Sequence, residues 1–212
     1  MNQTPFITVE GPIGVGKTSL AKYIAERFQY QLLKEIVDEN PFLGKFYSDI
    51  KGWSFQTEMF FLCNRYKQLE DIHQDYLKKE QPVVADYHSM KNIIFAERTL
   101  SPYQFKKYRQ VYDILTEDMP TPNVIIYLHA SLDTLLYRVA KRGREIERKM
   151  SASYLQQLII DYDKAMDAFQ QNNPHIPILK FSGDELDFVM NEKDLEKILS
   201  AVELTVKGRA VL

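Results

Sequence analysis

The sequence holds one cysteine, Cys63, no Gly/Ser-rich linker, repeat or low-complexity tract, and no surplus of either charge, the formal net charge being −2. Each shortage excludes something. A lone cysteine closes no internal disulfide, and Met1 to Thr8 lacks the basic start and apolar run of a signal peptide, so a reducing, cytoplasmic setting is expected. No stretch approaches the ~20 apolar residues needed to cross a bilayer, which excludes a membrane partner. Without a basic surplus, nucleic-acid backbone is not the expected partner either, although a small anionic ligand needs only a local cluster of positive charge. With 212 residues, 45% of them hydrophobic, the material suffices for one core, and a single domain over 1–212 is expected.

What is present is an alternation. Phe6 to Glu10 is a short β-rich run ending at glycine, and Lys17 to Phe28 follows with Leu20, Ala21, Ile24, Ala25 and Phe28 at helical spacing. Gln31 to Glu35 and Pro82 to Asp86 read as two further strands, separated by helical material from about Ser54 to Leu77. Val124 to His129, bounded by Pro120, Pro122 and Asn123, is the clearest strand, and Ile178 to Phe181 reads as a fifth. Strands alternating with helices predict a three-layer α/β fold: a central parallel sheet of about five strands flanked by helices, with ligands at the carboxyl ends of the strands.

The first such end carries Gly11-Pro12-Ile13-Gly14-Val15-Gly16-Lys17-Thr18. In this pattern Gly11, Gly14 and Gly16 let backbone N–H groups turn inward around phosphate oxygens, and the helix start adds partial positive charge. Lys17 reaches the β- and γ-phosphates, and Thr18 ligates Mg²⁺. The implied ligand is ATP with Mg²⁺. A GTPase would need Asn-Lys-x-Asp, whereas Asn191-Glu192-Lys193-Asp194 has the wrong order.

Glu35 and Asp86 close the second and third strands, placing two acids at the edge where the phosphate loop lies. A hydroxyl attacking a γ-phosphate needs a carboxylate to orient it and accept its proton, the role suited to Glu35, while Asp86 suits Mg²⁺. Helix capping or a surface ion pair would use the same residues. After the fourth strand, a helix starting near Ser131 brings Arg138 and Arg142 onto one face, followed by Gly143, Arg144, Glu145, Glu147 and Arg148. A lid over about 141–151, hinged at Gly143, would carry these arginines to charge developing in a transition state; a solvated charged helix end is the alternative.

Together these residues resemble the deoxynucleoside kinase family, a P-loop NTPase-type fold, over nearly the whole chain. The motifs are the phosphate loop, Lys34-Glu35-Ile36-Val37 followed by Glu39-Asn40-Pro41, Trp53 to Gln68, Asp86-Tyr87-His88, and Arg138 to Glu147. The resemblance implies that Glu35 activates a sugar 5′-hydroxyl and that Asp86 lies near Mg²⁺. It places Tyr47 and Glu147 at the sugar 3′-hydroxyl and Arg138, Arg142 and Arg144 at phosphates. Gly183 and Asp184 would flank adenine, and a homodimer is implied. Tyr47 could equally be core. Where the family carries an acid-Arg-Ser/Thr triplet, this chain has Asp86-Tyr87-His88, so lid or loop cations, or His88, would have to substitute for an arginine.

The family's base-reading glutamine is matched by Glu58. A carboxylate only accepts hydrogen bonds, and guanine offers two adjacent donors, N1–H and the N2 amino group; adenine presents a donor beside an acceptor, which fits an amide. Arg65, two turns on, can donate to O6 and N7 of guanine, and Asn92 falls where relatives pair an acid with this arginine. An ion pair between Glu58 and Arg65 is the structural alternative. Trp53, Phe55, Phe60, Phe61 and Phe95 could wall the base, with Phe60 and Phe61 unable to face it together. The expected activity is 5′-phosphorylation of a purine deoxynucleoside, deoxyguanosine first. Deoxyadenosine or deoxycytidine kinase, a nucleoside monophosphate kinase, and a non-catalytic ATP-binding module follow as alternatives.

Overall fold

The computed structural model describes residues 4–37 and 39–209; of the expected domain, residues 1–3, 38 and 210–212 lie outside the described residues. Five strands form one parallel sheet in the order β2-β3-β1-β4-β5, with β1 at Phe6–Glu10, β2 at Gln31–Leu33, β3 at Val83–Ala85, β4 at Val124–His129 and β5 at Ile178–Ser182. All of β1 and β3 is buried, which fits their interior positions. Ile7 and Val9 point into the larger core with Leu20, Ala21 and Ile24 of α1 (Lys17–Phe28). Phe6 points to a second cluster with Leu33, Val83, Leu69 and Ile72. Each fully buried aliphatic side chain of this kind stabilises by roughly 1.5–3 kcal/mol.

Chain order runs β1, β2, β3 on one side of β1 and then β4, β5 on the other. The crevice where the order reverses therefore opens at the carboxyl end of β1, beside the phosphate loop. The short helix α2 (Leu43–Phe46) and the long helix α3 (Ile50–Asp75) follow β2. α3 starts one turn before the expected Ser54, because Asp49 caps it by accepting from the Gly52 amide at 3.0 Å. Two helices then precede β4: α4 (Lys91–Thr99) and α5 (Pro102–Thr116), the latter opened by a capping box of Ser101 and Gln104. α6 (Leu132–Arg142), α7 (Ala152–Asn172) and α8 (Glu192–Arg209) complete the chain.

β2 and β3 stop earlier than expected, at Leu33 and Ala85, so Glu35 and Asp86 stand just beyond the ladder. The reason is a change of partner. Asp86 donates its amide to Leu33 O at 3.1 Å, and its carboxylate Oδ1 accepts the Glu35 amide at 2.7 Å, so a side chain continues where strand pairing ends. Among the described residues, no helix is long and apolar enough to cross a membrane.

Candidate active site

β1 delivers the chain into a loop built on left-handed glycines. A Cβ on Gly11, at φ +147°, would fall 2.1 Å from the Leu128 carbonyl oxygen of β4, so this exit admits only glycine. Gly16, at φ +106°, precedes α1 without a side-chain cap, leaving the first amides of the helix for an anion. Glu10, buried at the end of β1, ties this loop to the one after β3 by accepting from the Gly11 amide at 2.9 Å and the His88 amide at 2.8 Å. Lys17 Nζ donates to Gly11 O at 2.7 Å and Pro12 O at 3.0 Å; burial, aided by the neighbouring Lys91 ammonium, pushes it down to about 8.

One cavity of about 640 Å³ joins this loop to the rest of the site, a volume in the range of small-molecule pockets. Thr18 Oγ1 donates to Asp86 Oδ2 at 2.5 Å, putting two hard oxygen ligands together at the start of α1. Glu35 faces them between two cations. Its Oε1 accepts from Arg65 Nε at 3.0 Å and Nη2 at 2.5 Å, and its Oε2 from Lys91 Nζ at 2.6 Å. Burial alone would raise the Glu35 carboxyl, but Lys91 and Arg65 outweigh it and hold the group well below the usual carboxylate range.

Arg65 spends another donor, Nη1, on Asn92 Oδ1 beneath the cavity. No ion pair joins it to Glu58, so the structural alternative for that pair is not realised. Glu58 is 2% exposed, lines the cavity and, among the described residues, accepts only from Thr99 Oγ1 at 3.3 Å. Burial, countered in part by Arg65, pushes its carboxyl up to about 7. Of the five aromatic residues expected as walls, Phe61 and Phe95 line the cavity. Phe60 and Trp53 instead pack against Phe42, and Phe55 joins the cluster around Tyr108.

Arg138, Arg142, Arg144 and Glu147 line the same cavity. Gly143 ends α6 in the left-handed conformation at φ +68°, and a single 3-10 turn, Glu145–Glu147, carries the chain back toward α7. Arg142 Nη2 holds both oxygens of buried Glu147, at 2.6 and 2.7 Å, while Arg138 donates to Gly183 O at 2.8 Å and Val15 O at 3.3 Å. Tyr47 lines the cavity edge-on to Phe46, and burial, with Glu147 nearby, raises its phenol.

Four of the expected site residues do not line the cavity: Gly11, Asn92, Gly183 and Asp184. Asp184 instead caps the start of α6, accepting from the Ser131 amide at 2.8 Å and from the Ser131 and Thr134 hydroxyls at 2.8 and 2.5 Å. The wall near the phosphate loop is supplied by Asp187, Phe188, Val189 and Met190, a few residues after Asp184, with no signal in the sequence beyond their nearness to Gly183 and Asp184. His88 does not substitute for an arginine: its imidazole is buried outside the cavity lining, accepts from the Met90 amide at 2.9 Å, and is pushed down to about 4 by burial. The second cation at Glu35, beside Arg65, is Lys91, which sequence reasoning missed. Its signal was a lysine in the first turn of a helix, against the helix dipole.

A model of the deoxynucleoside kinase family matches residues 7–207 of the chain. The chain is 56% identical over 203 residues to deoxyguanosine kinase of Bacillus subtilis (strain 168), covering 96% of this chain and 98% of that one. It is 31% identical over 200 residues to deoxyadenosine/deoxycytidine kinase of the same organism, covering 92% and 90%. Among solved structures, deoxyadenosine kinase from M. mycoides with bound dATP superposes with a TM-score of 0.78 at 25% identity, covering 94% of this chain and 99% of that one.

Proposed function

The chain belongs to the deoxynucleoside kinase family, and from that premise we propose that it transfers the γ-phosphate of ATP to the 5′-hydroxyl of deoxyguanosine. The observation that carries the choice of base is Glu58. A buried carboxylate with no cation bonded to it offers acceptors only, and N1–H and N2–H of guanine are the matching pair of donors. Arg65 commits three of its N–H groups to Glu35 and Asn92; two remain for O6 and N7. Phe61 and Phe95 supply the apolar wall.

In this reading Glu35 orients the 5′-hydroxyl and takes its proton, while Tyr47 and Glu147 hold the 3′-hydroxyl. Lys17 and the loop amides grip the donor's phosphates, and Arg138, Arg142 and Arg144 meet charge from the lid over 141–151. Gly183 and Asp184 act by placement: the first receives Arg138 and the second fixes the start of α6, leaving Phe188 to Met190 to contact the adenine of ATP. Among the described residues, no cluster of three or more His, Cys, Asp and Glu could hold a metal. Thr18 with Asp86 nevertheless suits Mg²⁺, whose hard coordination favours a hydroxyl, one carboxylate and substrate phosphates. When bound, the ion would neutralise phosphate charge. A single domain over 1–212, a homodimer and a cytoplasmic setting complete the proposal, the homodimer resting on family resemblance alone. The family match displaces the nucleoside monophosphate kinase reading.

The test is kcat/KM for deoxyguanosine, deoxyadenosine and deoxycytidine with MgATP. Deoxyguanosine should lead by at least about tenfold, the discrimination a mispaired buried polar group supports. A preference for deoxycytidine would overturn the assignment.

A further inference from the structure

Lys91 opens α4 with its side chain 8% exposed, its Nζ 2.6 Å from Glu35 Oε2, and its ammonium lining the cavity. Two features make this costly as mere structure. The charge sits at the positive end of a helix, and an ammonium carries three donors of which only one, to Glu35, has an acceptor among the described residues. Buried donors without protein acceptors are unfavourable unless a ligand or ordered water supplies them. Anionic oxygens are the acceptors favoured most, since Lys17 and Arg65 already crowd the same space with positive charge.

The rest of the loop after β3 supplies no other cation. Tyr87 is fully buried among Leu69, Ile72 and Val83, with its hydroxyl donating to Gln68 at 3.2 Å, and His88 lies outside the cavity lining. Position 87 therefore contributes packing, and the positive charge enters four residues later.

We propose that Lys91 is a catalytic cation at the attacking oxygen, handing its contact from Glu35 to the transferred phosphoryl group during the reaction. The inference rests on the kinase reading above. In the step, the 5′-O–H bond breaks and its proton goes to Glu35 Oε2. A bond forms between the 5′ oxygen and the γ-phosphorus, and the bond from that phosphorus to the β–γ bridging oxygen breaks, its electron pair staying on ADP. Glu35 loses its negative charge as the 5′ end of the nucleoside acquires that of the phosphate. An ammonium beside both stays paired throughout by changing partner. The handover also resolves a conflict: a carboxylate clamped by two cations is a weak proton acceptor, and Lys91 moving to the phosphoryl group restores its proton affinity when the proton must be taken.

Wild type, Lys91→Met, Lys91→Gln and Lys91→Arg would be compared for kcat with deoxyguanosine and MgATP, and for calorimetric binding of deoxyguanosine and of its 5′-monophosphate. Lys91→Met and Lys91→Gln should each lower kcat by about 100-fold, the scale of losing one preorganised charge donor. Monophosphate binding should weaken by at least about tenfold while nucleoside binding changes by less than about threefold, because only the product has the new charge. Lys91→Arg should recover part of both losses. Lys91→Gln keeps a hydrogen bond to Glu35, so it separates charge from packing should the methionine variant fold poorly. Full kcat in Lys91→Gln, or equal weakening for nucleoside and monophosphate, overturns the inference. Wild type inactive on deoxyguanosine overturns the deoxyguanosine assignment and this step together, whereas active wild type with an indifferent Lys91→Gln overturns this step alone.

Discussion

Replacing Glu58 by glutamine changes one oxygen to an amino group and tests whether this carboxylate reads the base. The carboxyl is buried, bonded among the described residues only by the Thr99 hydroxyl, and pushed up to about 7 by burial, with Arg65, Thr99 and then Lys91 pulling it down and Glu35 pushing it up. Guanine needs the ionised form. Because kcat/KM reports the free enzyme, substrate capture is scaled by the fraction competent to bind, and that fraction falls about tenfold between pH 8 and pH 6. The protonated carboxyl, by contrast, offers a donor beside an acceptor, the pattern adenine matches. The quantity to measure is therefore the ratio of kcat/KM for deoxyguanosine over deoxyadenosine between pH 6 and pH 8, in which titrations common to both substrates cancel, including Lys17, itself pushed down to about 8. In wild type the ratio should drop at least about tenfold on acidification. In Glu58→Gln it should be flat, with deoxyguanosine kcat/KM at pH 8 reduced by roughly 5- to 150-fold, equivalent to ~1–3 kcal/mol for an unpaired buried donor. A flat wild-type ratio, or a variant with the wild-type slope, refutes the reasoning.

The same residue sets a stability trend. A carboxyl whose folded pKa lies above its unfolded value stabilises fully below about 4.5 and loses that contribution as pH rises through about 7, at most about 3 kcal/mol here. Thermal melts should thus show Glu58→Gln gaining on wild type between pH 5 and pH 8, and a constant difference would count against the buried, unpaired state. For Glu35, alanine is the wrong variant, since leaving Arg65 and Lys91 without their carboxylate costs about 3–5 kcal/mol of stability. Glu35→Gln should lower kcat by roughly 100- to 10,000-fold while ATP affinity stays within about twofold by equilibrium binding, and turnover close to wild type would remove Glu35 as proton acceptor.

Much of this site was legible where a residue's job depends on its own neighbours in sequence. The phosphate loop could be read because its glycine spacing, its lysine and the helix start are consecutive, and β4 because prolines and an asparagine bound it. The seven-residue spacing of Glu58 and Arg65 placed both on one face of α3, as found, since helix geometry is local. What could not be read is which charge meets which. Glu35 finds Arg65 and Lys91 at separations of 30 and 56 residues, through the packing of α3 against α4 beside β2, and Asp184 turns to cap a helix that begins 53 residues earlier. Those pairings decide roles. Glu35, Glu58 and Glu147 are three glutamates with buried side chains lining one cavity, identical in the sequence, and they differ in the cations they hold. Glu35 has two and is kept ionised beside the phosphate loop, where the proposed reaction would hold and deprotonate a hydroxyl. Glu147 is bonded through both oxygens to Arg142, at the end of α6. Glu58 has no cation bonded to it, so its acceptors stay open at the end of the cavity where a base would lie, and its charge becomes sensitive to pH near neutrality. Partner geometry, which only the fold supplies, is what fits one residue type to three different proposed roles.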